Sequence, residues 1–77
     1  MKIGTVLGEI RLRGYTPGYE NVVWKQIRLE DQVLVAADLV GAGSGDLVLV
    51  AQGLSADRYR MDLRCDALIL GTLDKEK

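Results

Sequence analysis

The stretch with the clearest potential for chemistry is the glycine-rich segment at residues 38–46, DLVGAGSGD. Glycines that alternate with small residues allow positive φ and a close approach to a phosphate or to another chain. In nucleotide-binding loops such glycines follow a strand and open a helix whose amino end holds the anion. Here they lead into residues 47–51, LVLVA, which have strong β preference, and no Gly-Lys-Ser/Thr sequence is present. The pattern therefore predicts a structural turn rather than a nucleotide site.

A second candidate is the acidic series Asp57, Asp62 and Asp66, whose oxygens could bind a metal ion. Arginines at positions 58, 60 and 64 alternate with these aspartates, so surface ion pairs are the favoured interpretation. The chain has no histidine and one cysteine, Cys65, which excludes an internal disulfide and the ordinary zinc ligand sets. No nucleophile, base and orienting residue can be named together. The sequence predicts no enzyme, no metal and no cofactor.

Length and charge narrow the function classes further. The 77 residues predict a single domain over residues 1–77, of a size at which one hydrophobic core rarely suffices, so self-association is the expected source of extra stability. The net charge is −1 and the basic residues are scattered, a pattern that predicts no nucleic-acid partner. No apolar run approaches the roughly 20 residues that a membrane span requires, so we expect no membrane association and a cytosolic protein.

The elements that must position the glycine-rich segment read as strands. Residues 2–13 alternate with a period of two and place Gly4, Val6, Gly8, Ile10 and Leu12 on one face, where the two glycines leave room for a tightly curved sheet. Further strands are predicted at residues 22–29, 33–37, 47–52 and 67–74. One short helix is predicted at residues 54–61, with a serine suited to cap its amino end.

The fourth and fifth predicted strands are apolar on both faces. Leucine and valine alternate along residues 47–50, and residues 67–70 are all apolar. A single barrel has only one interior, and the chain has no room for covering helices. We therefore expect a partner chain to cover the second face.

Aromatic residues cluster around the predicted turn at residues 14–21. Tyr15 and Tyr19 form either a contact surface or a self-packed loop, and the sequence does not distinguish the two. Trp24 is predicted to lie in the core or at an interface, because the basic and aromatic neighbours of a base-stacking platform are absent.

Four segments in order, at residues 1–10, 36–50, 53–58 and 66–74, resemble the bacterial microcompartment vertex proteins, a pentamer-forming shell family. The most specific part is an Asp-x-x-Gly-Ala-Gly-x-Gly core followed by Val-Leu and a Ser-Ala-x-Arg sequence. The resemblance implies an all-β fold, a small five-stranded OB-like closed barrel with one short helix. It also implies a homopentamer that caps the vertices of a polyhedral shell, beside hexameric shell proteins, in the bacterial cytoplasm.

By the same resemblance, eight residues are expected at the five-fold axis or the subunit contact. They are Asp38, Gly41, Ala42, Gly43, Ser44, Gly45, Ser55 and Arg58. The alternative function is an OB-type module that binds nucleic acid or protein, which the scattered charge disfavours for nucleic acid.

Overall fold

A computed structural model describes residues 1–53 and 65–74 of the chain. They form five strands: β1 (Lys2–Ile10), β2 (Trp24–Leu29), β3 (Gln32–Asp38), β4 (Leu47–Gln52) and β5 (Ala67–Leu73). The strands close into a barrel in the order β1-β2-β3-β5-β4, in which only the β3/β5 pair is parallel. The predicted all-β, five-stranded closed barrel is confirmed. The helix predicted at residues 54–61 lies outside the described residues.

The observed strand bounds follow from pairing. β4 matches the predicted range. β1 is shorter than predicted and ends at Ile10, because Ile10 pairs with Trp24, the first residue of β2. β2 accordingly begins two residues later than predicted. β3 is longer than predicted by one residue at each end, since Gln32 pairs with Leu29 and Asp38 pairs with Ile69.

The barrel interior is filled by small and branched apolar side chains. The fully buried members are Val6, Ile27, Leu29, Ala36, Ala42, Val48, Val50, Ala67 and Ile69. Gly4 lies directly against them: a Cβ there would sit 2.6 Å from both Ile27 Cγ2 and Leu29 Cδ2. The prediction that a glycine makes room on the inner face of β1 is therefore confirmed at Gly4.

A register shift in β1 between Val6 and Gly8 reverses which side chains face the interior. Val6 pairs with the buried Ile27, but Glu9 pairs with the buried Lys25, so Gly8 lies outside the barrel. The predicted single inner face through residue 12 is wrong beyond Val6, because the bulge adds one unpaired residue to the strand.

A second apolar cluster lies on the outside of the barrel. Paired residues Trp24, Ala37, Leu68 and Ala51 form a row across β2, β3, β5 and β4, and the last three are fully buried. Side chains from the segment before β2, among them Tyr19, pack against this row. At this end of the barrel the second face is thus covered by the same chain, which corrects the expectation that only a partner could cover it.

Candidate functional site

The glycine turn, defined as residues 39–46, connects β3 to β4 at one end of the barrel. Gly41 and Gly45 adopt φ values of 77° and 87°, the left-handed region in which a side chain is strained. Ala42 is buried among the interior residues, whereas Gly43 and Ser44 are exposed. The turn therefore closes the barrel with the methyl group of Ala42 and exposes the small residues 43–45, besides Leu39 and Val40, which are 38% and 44% exposed.

The carboxylate of Asp38 holds the first half of the glycine turn. Its Oδ1 accepts hydrogen bonds from the N–H groups of Val40 and Gly41, both at 2.9 Å, and its Oδ2 accepts one from Ala42 at 2.8 Å. Asp46 holds the second half, because its Oδ2 accepts a 2.8 Å hydrogen bond from the Gly43 N–H. Aspartate is suited to this role, since its short side chain reaches backbone N–H groups a few residues along the chain.

Lys25 ties the glycine turn to the barrel wall from inside. Its Nζ donates a 2.7 Å hydrogen bond to the Ala42 carbonyl and lies 3.5 Å from Asp38 Oδ2 and 3.6 Å from Glu9 Oε1. The Lys25 side chain is 11% exposed and that of Asp38 is 0% exposed. A buried ammonium is tolerated only when it is paired and hydrogen-bonded, and here carboxylates and a carbonyl provide both.

Backbone hydrogen bonds fix the position of the turn relative to its neighbours. The Gly45 N–H donates to the Val6 carbonyl at 2.8 Å, and the Val6 N–H donates to the Asp46 carbonyl at 3.0 Å. On the other side, the Leu39 N–H donates to the Ile69 carbonyl at 3.4 Å. The glycine turn is therefore attached to β1 and β5 as well as to its own strands.

These hydrogen bonds bear on the phosphate interpretation. Four successive N–H groups, from Val40 to Gly43, are already engaged by the carboxylates of Asp38 and Asp46. A phosphate-binding loop needs such groups to be available to the anion. The geometry therefore supports a structural turn.

Two apolar patches lie on the outside of the barrel. The β1/β4 patch consists of Ile3, which is 61% exposed, with the half-buried Leu47, Leu49 and Leu73 around it. Ile3 pairs with Leu49, and Leu47 pairs with Leu73.

The second surface, the β3 patch, consists of Val33 and Val35, which are 52% and 44% exposed. In the closed barrel, β2 separates β3 from β1 and β5 separates β3 from β4. The two apolar patches therefore lie on different flanks of the molecule.

The structure brings six of the eight predicted site residues together in one place. Asp38 is the cap of the glycine turn, and residues 41–45 form the turn itself. Ser55 and Arg58 lie outside the described residues, as do Asp57 and Asp62 of the acidic series. Among residues 1–53 and 65–74, no group of three potential metal-binding side chains occurs, and no helix is long and apolar enough to span a membrane.

Lys25 is not among the site residues predicted from the sequence, although the residue pattern of β2 indicates that it is buried. In β2 the residues at 25, 27 and 29 alternate with exposed ones, and two of the three are Ile27 and Leu29. A lysine in phase with buried aliphatic residues indicates an interior cation, which requires an acidic partner.

The chain is similar to known proteins along almost its whole length. Residues 1–74 match the model of the family described as "Ethanolamine utilisation protein EutN/carboxysome". No curated protein sequence matches the chain.

Three solved structures illustrate the similarity. The carboxysome subunit CcmL is 31% identical, with a TM-score of 0.87 over 96% of this chain and 86% of that one. The pentameric shell protein from the RMM microcompartment is 29% identical, with a TM-score of 0.85 over 96% and 91% of the two chains. EutN from Escherichia coli is 27% identical, with a TM-score of 0.85 over 100% and 89%.

Proposed function

The chain belongs to the EutN/CcmL family, and from this membership we propose that it is a structural subunit which forms a homopentamer and caps the vertices of a bacterial microcompartment shell. One of the similar solved structures is that of the pentameric shell protein from the RMM microcompartment. The proposed role is structural rather than catalytic, and its place is the shell of a microcompartment in the bacterial cytoplasm.

The observation that carries the proposal is the pair of apolar patches on different flanks of one barrel. A cyclic ring uses a single heterologous contact that is repeated until the ring closes, so each subunit must present two different surfaces. The β1/β4 patch and the β3 patch meet this requirement, since Ile3, Val33 and Val35 are all exposed in the single chain. Contact between neighbouring copies would remove this apolar area from water.

We place the glycine turn near the five-fold axis or the subunit contact. Its outward residues Gly41, Gly43, Ser44 and Gly45 are exposed and small, so neighbouring backbones can approach closely there. The Asp38 cap and the Lys25 hydrogen bond hold the turn in one shape, which a repeated contact needs.

The mechanism that follows is geometric. A pentagonal unit set among hexameric shell proteins introduces the curvature that closes a flat layer. The protein contributes to closure of the shell through its shape and through the affinity of its edges for the surrounding shell proteins.

The direct test is the mass of the protein in solution. Native mass spectrometry is expected to give a species of about five times the 8.4 kDa chain. Electron microscopy of shells formed with hexameric shell proteins is expected to show closed vertices only when this chain is present. A stable monomer at micromolar concentration would contradict the proposal.

Gly43→Leu tests the position of the glycine turn. A Cβ at Gly43 would meet only Asp46 Oδ2, at an ordinary 3.7 Å, and the residue is exposed, so the single barrel does not clash with a side chain where it leaves the backbone. At an axis or subunit contact the leucine would collide with its neighbours. We expect circular dichroism to show unchanged strand content and native mass spectrometry to show loss of the pentamer. The control is Gly14→Leu, which has open space around it and should assemble normally; a normal pentamer for Gly43→Leu would remove the turn from the contact.

A charge exchange tests whether the two apolar patches face each other. Ile3→Glu and Val35→Lys each place an unpaired charge in the proposed contact, and each is expected to lower pentamer content at least about tenfold. The double variant puts opposite charges on the two sides of every contact and should assemble better than either single variant. The matched control is Ile3→Glu/Val35→Glu, which has like charges. Equal assembly of the two double variants would show that the patches do not meet.

A further inference from the structure

A cleft of about 210 Å³ lies beside the end of β1, and none of its lining residues is among those assigned to the subunit contact. Its walls are residues 9–12, at the end of β1 and beyond, and the segment that leads into β2. The chain has four aromatic residues, and three of them, Tyr15, Tyr19 and Trp24, line this one cleft. Such a concentration in an aromatic-poor sequence points to a binding surface.

The aromatic side chains contribute π faces to the cleft. Tyr19 and Trp24 are stacked, with ring centroids 6.2 Å apart and planes inclined by 22°. The indole Nε1 of Trp24 is buried and makes no hydrogen bond in the described part of the chain, so the cleft meets the ring and not its N–H. Tyr15 is about half exposed at the opening. Aromatic faces attract cations, and arginine most often.

The charged residues of the cleft favour a cation. Glu9 and Glu20 line it together with Arg11. Glu9 is already paired with Lys25 at 3.6 Å, whereas Glu20 forms no ion pair among the described residues and is therefore the carboxylate available to a ligand. The Arg11 side chain is 90% exposed and its Nε is 4.0 Å from Glu9 Oε2, a loose surface pair. The Glu20 carboxylate accepts the Gly18 N–H at 3.1 Å with either oxygen and keeps lone pairs available. Hydrogen bonds from the N–H groups of Glu20 itself and of Gly18 lower the pKa of the Glu20 carboxyl, which therefore stays ionised at neutral pH.

The size of the cleft indicates what kind of cation fits. Sites for cofactors and drug-sized ligands usually measure about 300–1,000 Å³, and this cleft is smaller. It has room for one long side chain. A planar guanidinium can stack on aromatic rings and pair with a carboxylate at the same time, which a compact ammonium cannot do equally well.

We propose that this cleft is a docking site for an arginine side chain presented by another protein, stacked on the aromatic side chains of Tyr15, Tyr19 and Trp24 and paired with the carboxylate of Glu20. This site shares no residue with the glycine turn or with either apolar patch. It gives a ring-forming subunit a means of holding a second protein.

The test uses the only tryptophan of the chain as its reporter, because Trp24 lines the cleft. The probes are N-acetyl-arginine-methylamide and its citrulline analogue, which has nearly the same shape without the charge. Intrinsic fluorescence is expected to show saturable binding of the arginine compound, at least about fivefold tighter than citrulline and weaker at high salt. NMR shifts should be confined to residues 9–12 and 15–24. Equal affinities for the two probes, or no saturable change, overturn the proposal.

Three variants separate the contributions. Tyr15→Leu keeps an apolar side chain but removes a π face, and is expected to reduce the preference for arginine over citrulline. Leu12→Ala, at another residue of the cleft, removes apolar area only and should leave the preference unchanged. Arg11→Gln removes the competing cation and should tighten arginine binding. An undiminished preference in Tyr15→Leu would contradict the aromatic role, and this result does not depend on whether the chain forms a pentamer.

Discussion

Asp38→Ala is expected to lower the free energy of unfolding by about 3–5 kcal/mol, the range for removing one partner of a buried ion pair. The carboxylate is fully buried, accepts three backbone hydrogen bonds and lies 3.5 Å from Lys25 Nζ. Alanine would leave the buried ammonium with the Ala42 carbonyl and the half-exposed Glu9 as its partners. The measurement is denaturant unfolding at one fixed protein concentration, because association adds to the apparent stability.

Asp46→Ala is the matched control for this effect. Asp46 accepts only one hydrogen bond from the glycine turn, lies at an exposed position and forms no ion pair among the described residues. Its loss should cost about 1 kcal/mol. The double variant Lys25→Met/Asp38→Asn removes both charges and should lose less stability than Asp38→Ala. If the two single alanine variants cost the same, the buried pair does not stabilise the turn.

The sequence predicted correctly those features of the fold that the residue pattern of a single strand determines. The run at residues 47–52 has turn residues before it and a glycine after it, and β4 occupies that range. Gly4 was correctly placed on the inner face, and Asp38 was correctly grouped with the glycine turn. These features depend on local composition and period, which a single sequence contains.

The features that were missed depend on tertiary pairing. The bulge after Val6 could not be seen, because glycine and isoleucine at positions 8 and 10 continue the apolar alternation across it. The shift is defined by the partner strand β2, which pairs Lys25 with Glu9 and places both side chains on the same face of the sheet. A period-two pattern specifies alternation but not which residue the neighbouring strand skips.

The covering of Leu68 was missed for a similar reason. Its apolar face required some neighbour, and the sequence pattern did not show which segment would supply it. Tyr19 and Val22, in the segment before β2, pack against the row that includes Ala37 and Ala51. Cys65 and Leu70 pack against the same row. Composition shows that an apolar surface needs a cover, but only the fold shows which part of it the same chain provides.

The second large effect is expected at Gly4, with Gly8 as an internal control on the same strand. Gly4→Ala would place a Cβ 2.6 Å from two methyl groups of the core and 3.0 Å from the Arg28 carbonyl oxygen. The side chains can move, but the backbone oxygen belongs to the neighbouring strand. We expect a loss of about 3 kcal/mol, the upper part of the range for overpacking a core, measured by denaturant unfolding.

Gly8→Ala adds the same methyl group four residues along, beyond the bulge. A Cβ there meets nothing within 4 Å, and the backbone of Gly8 is outside the left-handed region. The variant should therefore be neutral or more stable by up to about 1 kcal/mol, because alanine restricts the unfolded chain. The difference in unfolding free energy between the two variants therefore tests the bulge. In an uninterrupted strand both glycines would face the interior, and both alanine substitutions would be destabilising. Equal destabilisation by the two substitutions would therefore show that β1 continues into the barrel without the shift after Val6.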